Sequence, residues 1–394
     1  MKFILILFSI IIVSIGTCFS QAWTALTDIP VSLAFPIVVA LDGNIHVIGG
    51  GGPNGATDLH LRYRPSTNAW DTLSPVPYKA QQPGGAVVNG RIHYFGGGYP
   101  NSGTRLDDHY AYDPSSNSWL KQQDMLIPRV IHKTATLGDT IYVLSGQPDK
   151  SRVDIFTTSD SSWKRRNDLP DGNFWYSAMS VHNNTLYRFG GGGSISAVTS
   201  AHIYNQKTDK WTALSSLSQT NHAPSAEVLG DSIYITGGYV DYRYSDKSLV
   251  YDVNTQSYGK GPSFPEGRSY HSMVRIDNCI YSVGGHNDGF EVNTSLIRHC
   301  LGDPFTNVSV DQALPSHISI SFGSENTMNV HGLEPGQEML FGIYNLEGKL
   351  VWSQSILEPK SIATINLPAL INGIYSVVVQ SGDGQYWFKL PMLR

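Results

Sequence analysis

The sequence predicts an all-β protein, most of it a stack of six similar units. Two observations carry this. The stretch Arg91-Ile92-His93-Tyr94-Phe95-Gly96-Gly97 recurs as Asn44 to Gly50, Thr140 to Gly146 (Ser145 replacing the first glycine), Thr185 to Gly191, Ser232 to Gly238 and Cys279 to Gly285. Its Ile/Leu position falls at 45, 92, 141, 186, 233 and 280, steps of 47, 49, 45, 47 and 47, and a fixed period in this range marks a repeat architecture. The second observation is an aromatic seven residues before another: Tyr63 and Trp70, Tyr112 and Trp119, Phe156 and Trp163, Tyr204 and Trp211, Tyr251 and Tyr258.

Within a unit the elements follow in order. A minimal turn joins the first two strands: Asp42-Gly43, Asn89-Gly90, Gly138-Asp139, Asn183-Asn184, Gly230-Asp231 and Asp277-Asn278. Such dipeptides supply the positive φ that tight hairpins need. The second strand ends in the glycine pair. A loop of uneven length follows, 13 residues from Gly50 to Tyr63, 15 from Gly97 to Tyr112 and 10 from Gly146 to Phe156. The paired aromatics then mark a third and a fourth strand. Turn, Ile-Tyr, hydrophobics, Gly-Gly, variable loop, Tyr and Trp together resemble the kelch repeat, over roughly residues 22 to 300. That resemblance implies a six-bladed β-propeller.

Gln21 to Pro30 reads Gln-Ala-Trp-Thr-Ala-Leu-Thr-Asp-Ile-Pro and matches the fourth strands around Trp70 and Trp211, with Trp23 lying 47 residues before Trp70. The N-terminal strand is therefore expected to complete the sixth blade and leave no open sheet edge, over residues 21–300. Phe305 offers a rival, since it lies 47 residues after Tyr258, but Pro304 beside it suits a turn better than a strand.

Ahead of the repeats, residues 1–20 carry one Lys, an apolar run from Phe3 to Ile15 and small residues, the pattern of a secretory signal cleaved between Ser20 and Gln21. Lipidation at Cys18 is the rival reading, and Thr17 is a poor residue before such a cysteine. No stable membrane span is expected after cleavage. Cys279 and Cys300 then remain, on neighbouring strands of the sixth unit, and an exported chain favours a disulfide between them over two buried thiols.

Residues 301–316, with Pro304 and Pro315, read as a linker, and residues 317–394 as about seven short strands in a small C-terminal β-sandwich. The stretches Ile343 to Trp352 and Leu367 to Gln380, with Gly373-Ile374-Tyr375 and the closing Phe388-Lys389-Leu390, resemble the C-terminal sorting domain of type IX secretion substrates of the Bacteroidetes. The resemblance implies export by the type IX secretion machinery to the cell surface or beyond. The Asn-Pro that commonly opens such domains is absent here, and His317-Ile318-Ser319 stands in its place.

A net charge of −5 with no Lys/Arg run excludes a nucleic-acid footprint. Function is expected on the face of the long, irregular loops. There Arg129, Trp175, Tyr176, His222, Arg268, Tyr270 and His271 come from the connections that lead into successive first strands, and Pro128-Arg129-x-x-His132 and Arg268-x-x-His271 keep the family pattern. Arginines suit a carboxylate or vicinal hydroxyls, and aromatics suit a sugar ring, so the seven are the candidate site for a carbohydrate or protein ligand. The competing reading makes the arginines and histidines structural residues that bond backbone between blades.

No catalytic residue, metal site or cofactor is expected. Gly190 to Ser194 fills the repeat's glycine positions and lacks the Lys of a phosphate loop, and no Gly-x-Ser-x-Gly or His-Glu-x-x-His motif occurs. The cysteines sit in blade strands, so the copper chemistry of the galactose-oxidase branch of kelch proteins, built on a cysteine-linked tyrosine, has no evident material. A secreted or cell-surface binding module is thus the expected function. The alternative is a sugar mutarotase or isomerase of the sialic-acid epimerase type working in the channel, for which Glu227 would be the general base; the competing reading of Glu227 is an exposed strand residue.

Overall fold

The computed structural model describes residues 23–99, 102–170, 175–192, 197–287 and 291–300, and seven strands between 319 and 392. Six four-stranded antiparallel blades form the propeller. Their innermost strands are Ile37–Leu41, Gly84–Val88, Lys133–Leu137, Ala178–His182, Ser225–Leu229 and Ser272–Ile276. The second strands carry the repeating Ile-Tyr stretch, from Asn44–Ile48 in the first blade to Cys279–Val283 in the sixth. The third and fourth strands bring the paired aromatics opposite one another, as in Tyr63 with Trp70 and Phe156 with Trp163.

Both glycines of each pair adopt positive φ, and at Gly50 a Cβ would meet the carbonyl oxygen of Ala34 at 2.7 Å. The pair lets the chain turn sharply where the next connection crosses it. Ser145 takes the same left-handed conformation, φ 63°, without a glycine's freedom.

Among the described residues the sixth blade holds three strands of its own repeat. Its fourth is the N-terminal Thr24–Ala25, paired antiparallel with Leu296–Cys300 as Thr24 with Arg298 and Ala25 with Ile297. Trp23 is buried beside it, edge-on to Phe264 at 4.6 Å, with its indole N–H donated to the Pro262 carbonyl at 3.2 Å. Cys279 and Cys300 stand directly opposite on the second and third strands and are disulfide-bonded.

Apolar core lies between blades. Ile37, Val39 and Ile48 of the first blade pack with Ile92, Tyr94 and Tyr112 of the second, and Val88 and Phe95 of the second with Ile141 and Phe156 of the third. The fourth-strand aromatics stitch neighbours together: the Trp70, Trp119 and Trp163 indoles donate to the carbonyls of Thr27, Ser74 and Gln123, and the Tyr258 hydroxyl to that of Ser215.

In the C-terminal region Ser319–Phe322, Thr327–His331 and Ile362–Asn366 form a three-stranded sheet, and Leu350–Ile356, Met339–Tyr344, Gly373–Ser381 and Gly384–Met392 a four-stranded one. Phe341 and Ile343 are buried. The expected signal, the linker and Phe305 lie outside the described residues.

Candidate ligand-binding site

Two concentric rings organise the loop face. In the outer ring Ala34, Gln81, Val130, His222 and Ser269 each pair with a residue just past their own blade's glycines, namely Gly51, Gly98, Gln147, Tyr239 and His286. Trp175 completes it by accepting the Gly192 N–H at 2.7 Å. The next residue in each connection forms the inner ring: Phe35, Gln82, Ile131, Tyr176, Ala223 and Tyr270. All six have φ between 53° and 64° although none is glycine. A non-glycine residue in this region costs on the order of 1 kcal/mol. The kink swings the chain out of the outer bridge into the innermost strand, and it turns the inner-ring side chain toward the axis.

There the side chains meet. Phe35 and Tyr176 come from blades one and four, diametrically opposite, yet their rings are 6.3 Å apart. Tyr270 packs edge-on to both, at 4.9 Å from Phe35 and 5.1 Å from Tyr176. Gln82 donates its amide to the Tyr176 hydroxyl at 3.0 Å, and His286 packs against Phe35 and Tyr270. His222 joins by hydrogen bonding. Its Nδ1–H donates to the Gly192 carbonyl, so its Nε2 is the acceptor for the Tyr270 hydroxyl at 2.7 Å. Burial holds the His222 imidazole below its usual range, which keeps this neutral tautomer. The channel mouth is thus capped by half-buried aromatics, over a cavity of about 60 Å³.

The other candidate residues have different surroundings. Arg129 and Arg268 are fully buried and turned into their blades. The Arg129 guanidinium pairs with the buried Asp154, which Arg152 also contacts at 2.7 Å. Arg268 lies over the Phe264 ring at 5.0 Å, with Glu266 at 3.3 Å. The carbonyls of both arginines accept the N–H of the preceding blade's second glycine, Gly97 and Gly238. His271 is buried beneath the inner ring, between Thr236 at 3.0 Å and Phe264, and burial drives its pKa far down. Trp175 is half-buried, with the Lys150 ammonium 4.3 Å above its ring.

Around the cap the loop face rises. Two-stranded ribbons stand on blades one, two and five, Gly51–Gly52 with Gly55–Ala56, Gly98–Tyr99 with Thr104–Arg105 and Tyr239–Val240 with Arg243–Tyr244. Tyr99 and Tyr242 project from two of them, 40% and 74% exposed. Phe35 and Gln82 are site residues that the motifs did not single out. The signal was present, since every inner-ring residue lies ten positions before an Ile/Leu landmark.

A closed six-bladed ring with minimal turns on one face and irregular loops on the other defines a propeller scaffold whose variation sits on one side. Residues 131–320 match the model of the KLHDC2/KLHL20/DRC7 Kelch-repeats domain, and residues 316–391 that of the Secretion system C-terminal sorting domain. The protein is a kelch-repeat propeller carrying a type IX sorting domain, which marks it for export to the cell surface or beyond. Among curated proteins it is similar to Kelch-like protein 36 of Bos taurus, 27% identical over 199 residues, 47% of this chain and 32% of that protein. It is also similar to Spermatocyte protein spe-26 of Caenorhabditis elegans, 24% identical over 203 residues, 49% of this chain and 36% of that protein. The chain spans about a third of the length of these curated relatives. Among solved structures, one titled "Structure of YjhT" shares the fold, with a TM-score of 0.62 at 17% identity over 71% of this chain and 98% of that one.

Proposed function

We propose that the propeller is a non-catalytic binding module, presented outside the cell, whose loop face holds a carbohydrate. The observation that carries this reading is the capped mouth. Phe35, Tyr176 and Tyr270 form an aromatic floor bounded by ribbons, and aromatic rings are apolar in the body while tyrosine keeps a polar tip. That combination suits a sugar ring, which is apolar on its C–H faces and polar at its edge. Within this reading Trp175, Tyr176, His222 and Tyr270 carry the contacts; Arg129, Arg268 and His271 act from behind by holding the connections. A glycan panel applied to the full chain tests it. Tyr270→Ala removes an anchor and is expected to weaken binding by roughly 2 kcal/mol. A panel on which no glycan binds, or equal binding by the variant, overturns it.

One observation favours a second reading, a mutarotase or isomerase in the channel. Glu227 borders the lumen, and burial lifts its carboxyl to about 7, where a general base works best. Anomer exchange of a free sugar, followed by NMR and abolished by Glu227→Gln, is the result that reading requires.

A further inference from the structure

Beneath the inner ring, which narrows the loop-face mouth, the channel widens into a chamber. The innermost strands enclose about 340 Å³, running down to Ala40, Val87, Thr136 and Val181 on the way to the short-turn face.

The layer just inside the cap takes one residue from each blade: Ile37, Gly84, Lys133, Ala178, Ser225 and Ser272. Four of the six are Gly, Ala or Ser, and Lys133 is the one long side chain with a charge among them. Its ammonium has no hydrogen-bond or ion-pair partner among the described residues, and burial alone brings its pKa down to about 8. The surface that Lys133 keeps is lumen surface, deep in the molecule. Its charge is felt by His132 beside it and by His271 on the sixth blade, opposite its own third blade, which puts the ammonium toward the axis. Glu227 lies one pleat deeper and forms no ion pair with it; the Glu227 carboxylate accepts the Val228 N–H at 2.9 Å. Arg275, beyond Glu227 on the sixth blade, is exposed and attracts that carboxylate.

A cation in such a place lacks a counter-charge, and burying an unpaired charge is costly. We propose that the chamber binds a short aliphatic monocarboxylate, with its carboxylate on Lys133 and the Ser225 and Ser272 hydroxyls and its chain along Val38, Val87 and Met179. Ser225 Oγ accepts the Met273 N–H at 3.1 Å, which leaves its own proton to donate. A single ammonium with Glu227 nearby selects a monoanion over a phosphate dianion, and the valine and methionine walls select a hydrocarbon tail over a hydrated ion.

Calorimetric titration of the full chain with sodium butyrate, and with butyramide as its neutral isostere, tests this. Butyrate is expected to give saturable heat at neutral pH and butyramide none, and binding fades as pH rises past about 8, where Lys133 loses its proton. Lys133→Met is expected to weaken butyrate binding at least about tenfold and Ser272→Ala a few-fold, by loss of a charge-assisted and a neutral hydrogen bond respectively. A folded wild-type chain that gives no saturable heat, equal binding of butyramide, or unchanged binding by Lys133→Met overturns the proposal. If Lys133→Met fails to fold, the Ser272→Ala loss and the pH profile decide in its place, and the absence of both overturns it.

Discussion

A guanidinium with no access to water depends on its counter-ion. Arg129 and Asp154 are each within 1% of complete burial, and Asp154 keeps only Arg152 if Arg129 is removed. Arg129→Ala is therefore expected to destabilise the propeller by about 3 kcal/mol, because it strands part of a buried charge. A urea titration reads this as a lowered midpoint with an unchanged slope. Unaltered stability together with lost ligand binding would instead give Arg129 a direct part in recognition. The motif Pro128-Arg129-x-x-His132 was legible in the sequence, but the direction of its side chain was not. Asp154, which decides that direction, arrives on a strand 25 residues away. The aromatic cap was hidden for a related reason: Phe35 and Tyr176 look unrelated until blades one and four face each other across an axis.

In the first two blades the second and third strands share an imidazole pair. His46 Nδ1 is 2.8 Å from His60 Nε2, and His93 Nδ1 is 2.8 Å from His109 Nε2. All four are buried, and burial first, then neighbouring charge, lowers the pKa of His46 and His93 to about 4 and of His60 and His109 to about 3. The unfolded chain takes up protons near 6.5, so it binds more protons than the folded state between there and about 4. Stability is thus full above pH 6.5 and falls as the pH drops through this window, by up to about 3 kcal/mol for each histidine. The fifth blade places Tyr234 and Ser248 at the corresponding positions. Carrying that solution over as His93→Tyr with His109→Ser is expected to flatten the acid slope of thermal unfolding curves. An unchanged slope would show that the acid sensitivity arises elsewhere. Strand positions were readable because turn dipeptides and the Gly-Gly landmarks bracket them. The imidazole contacts were not, since register decides which side chains meet across a pair of strands.

For the whole molecule, a propeller that closes on its own N-terminal strand has no structural need of the tail. Removing residues 317–394 is expected to leave the melting temperature of the propeller unchanged while the protein stays within the cell envelope. Fractionation with an antibody against the propeller checks this; full release of the shortened chain would deny the tail its role as an address. Closure was legible because Trp23 repeats the fourth-strand pattern at the right spacing, a signal that depends on period and on no distant contact. The same closure leaves the ring secured by a clasp, Thr24–Ala25 against Leu296–Cys300, whose halves come from opposite ends of the repeat array. Nothing in a strand pairing specifies that both halves belong to one molecule. Chains that fold side by side can trade N-terminal strands, each filling the other's sixth blade, and become interlocked dimers with every native contact satisfied. Dilution favours the self-closed ring, because the exchange needs a second chain and the intramolecular clasp does not.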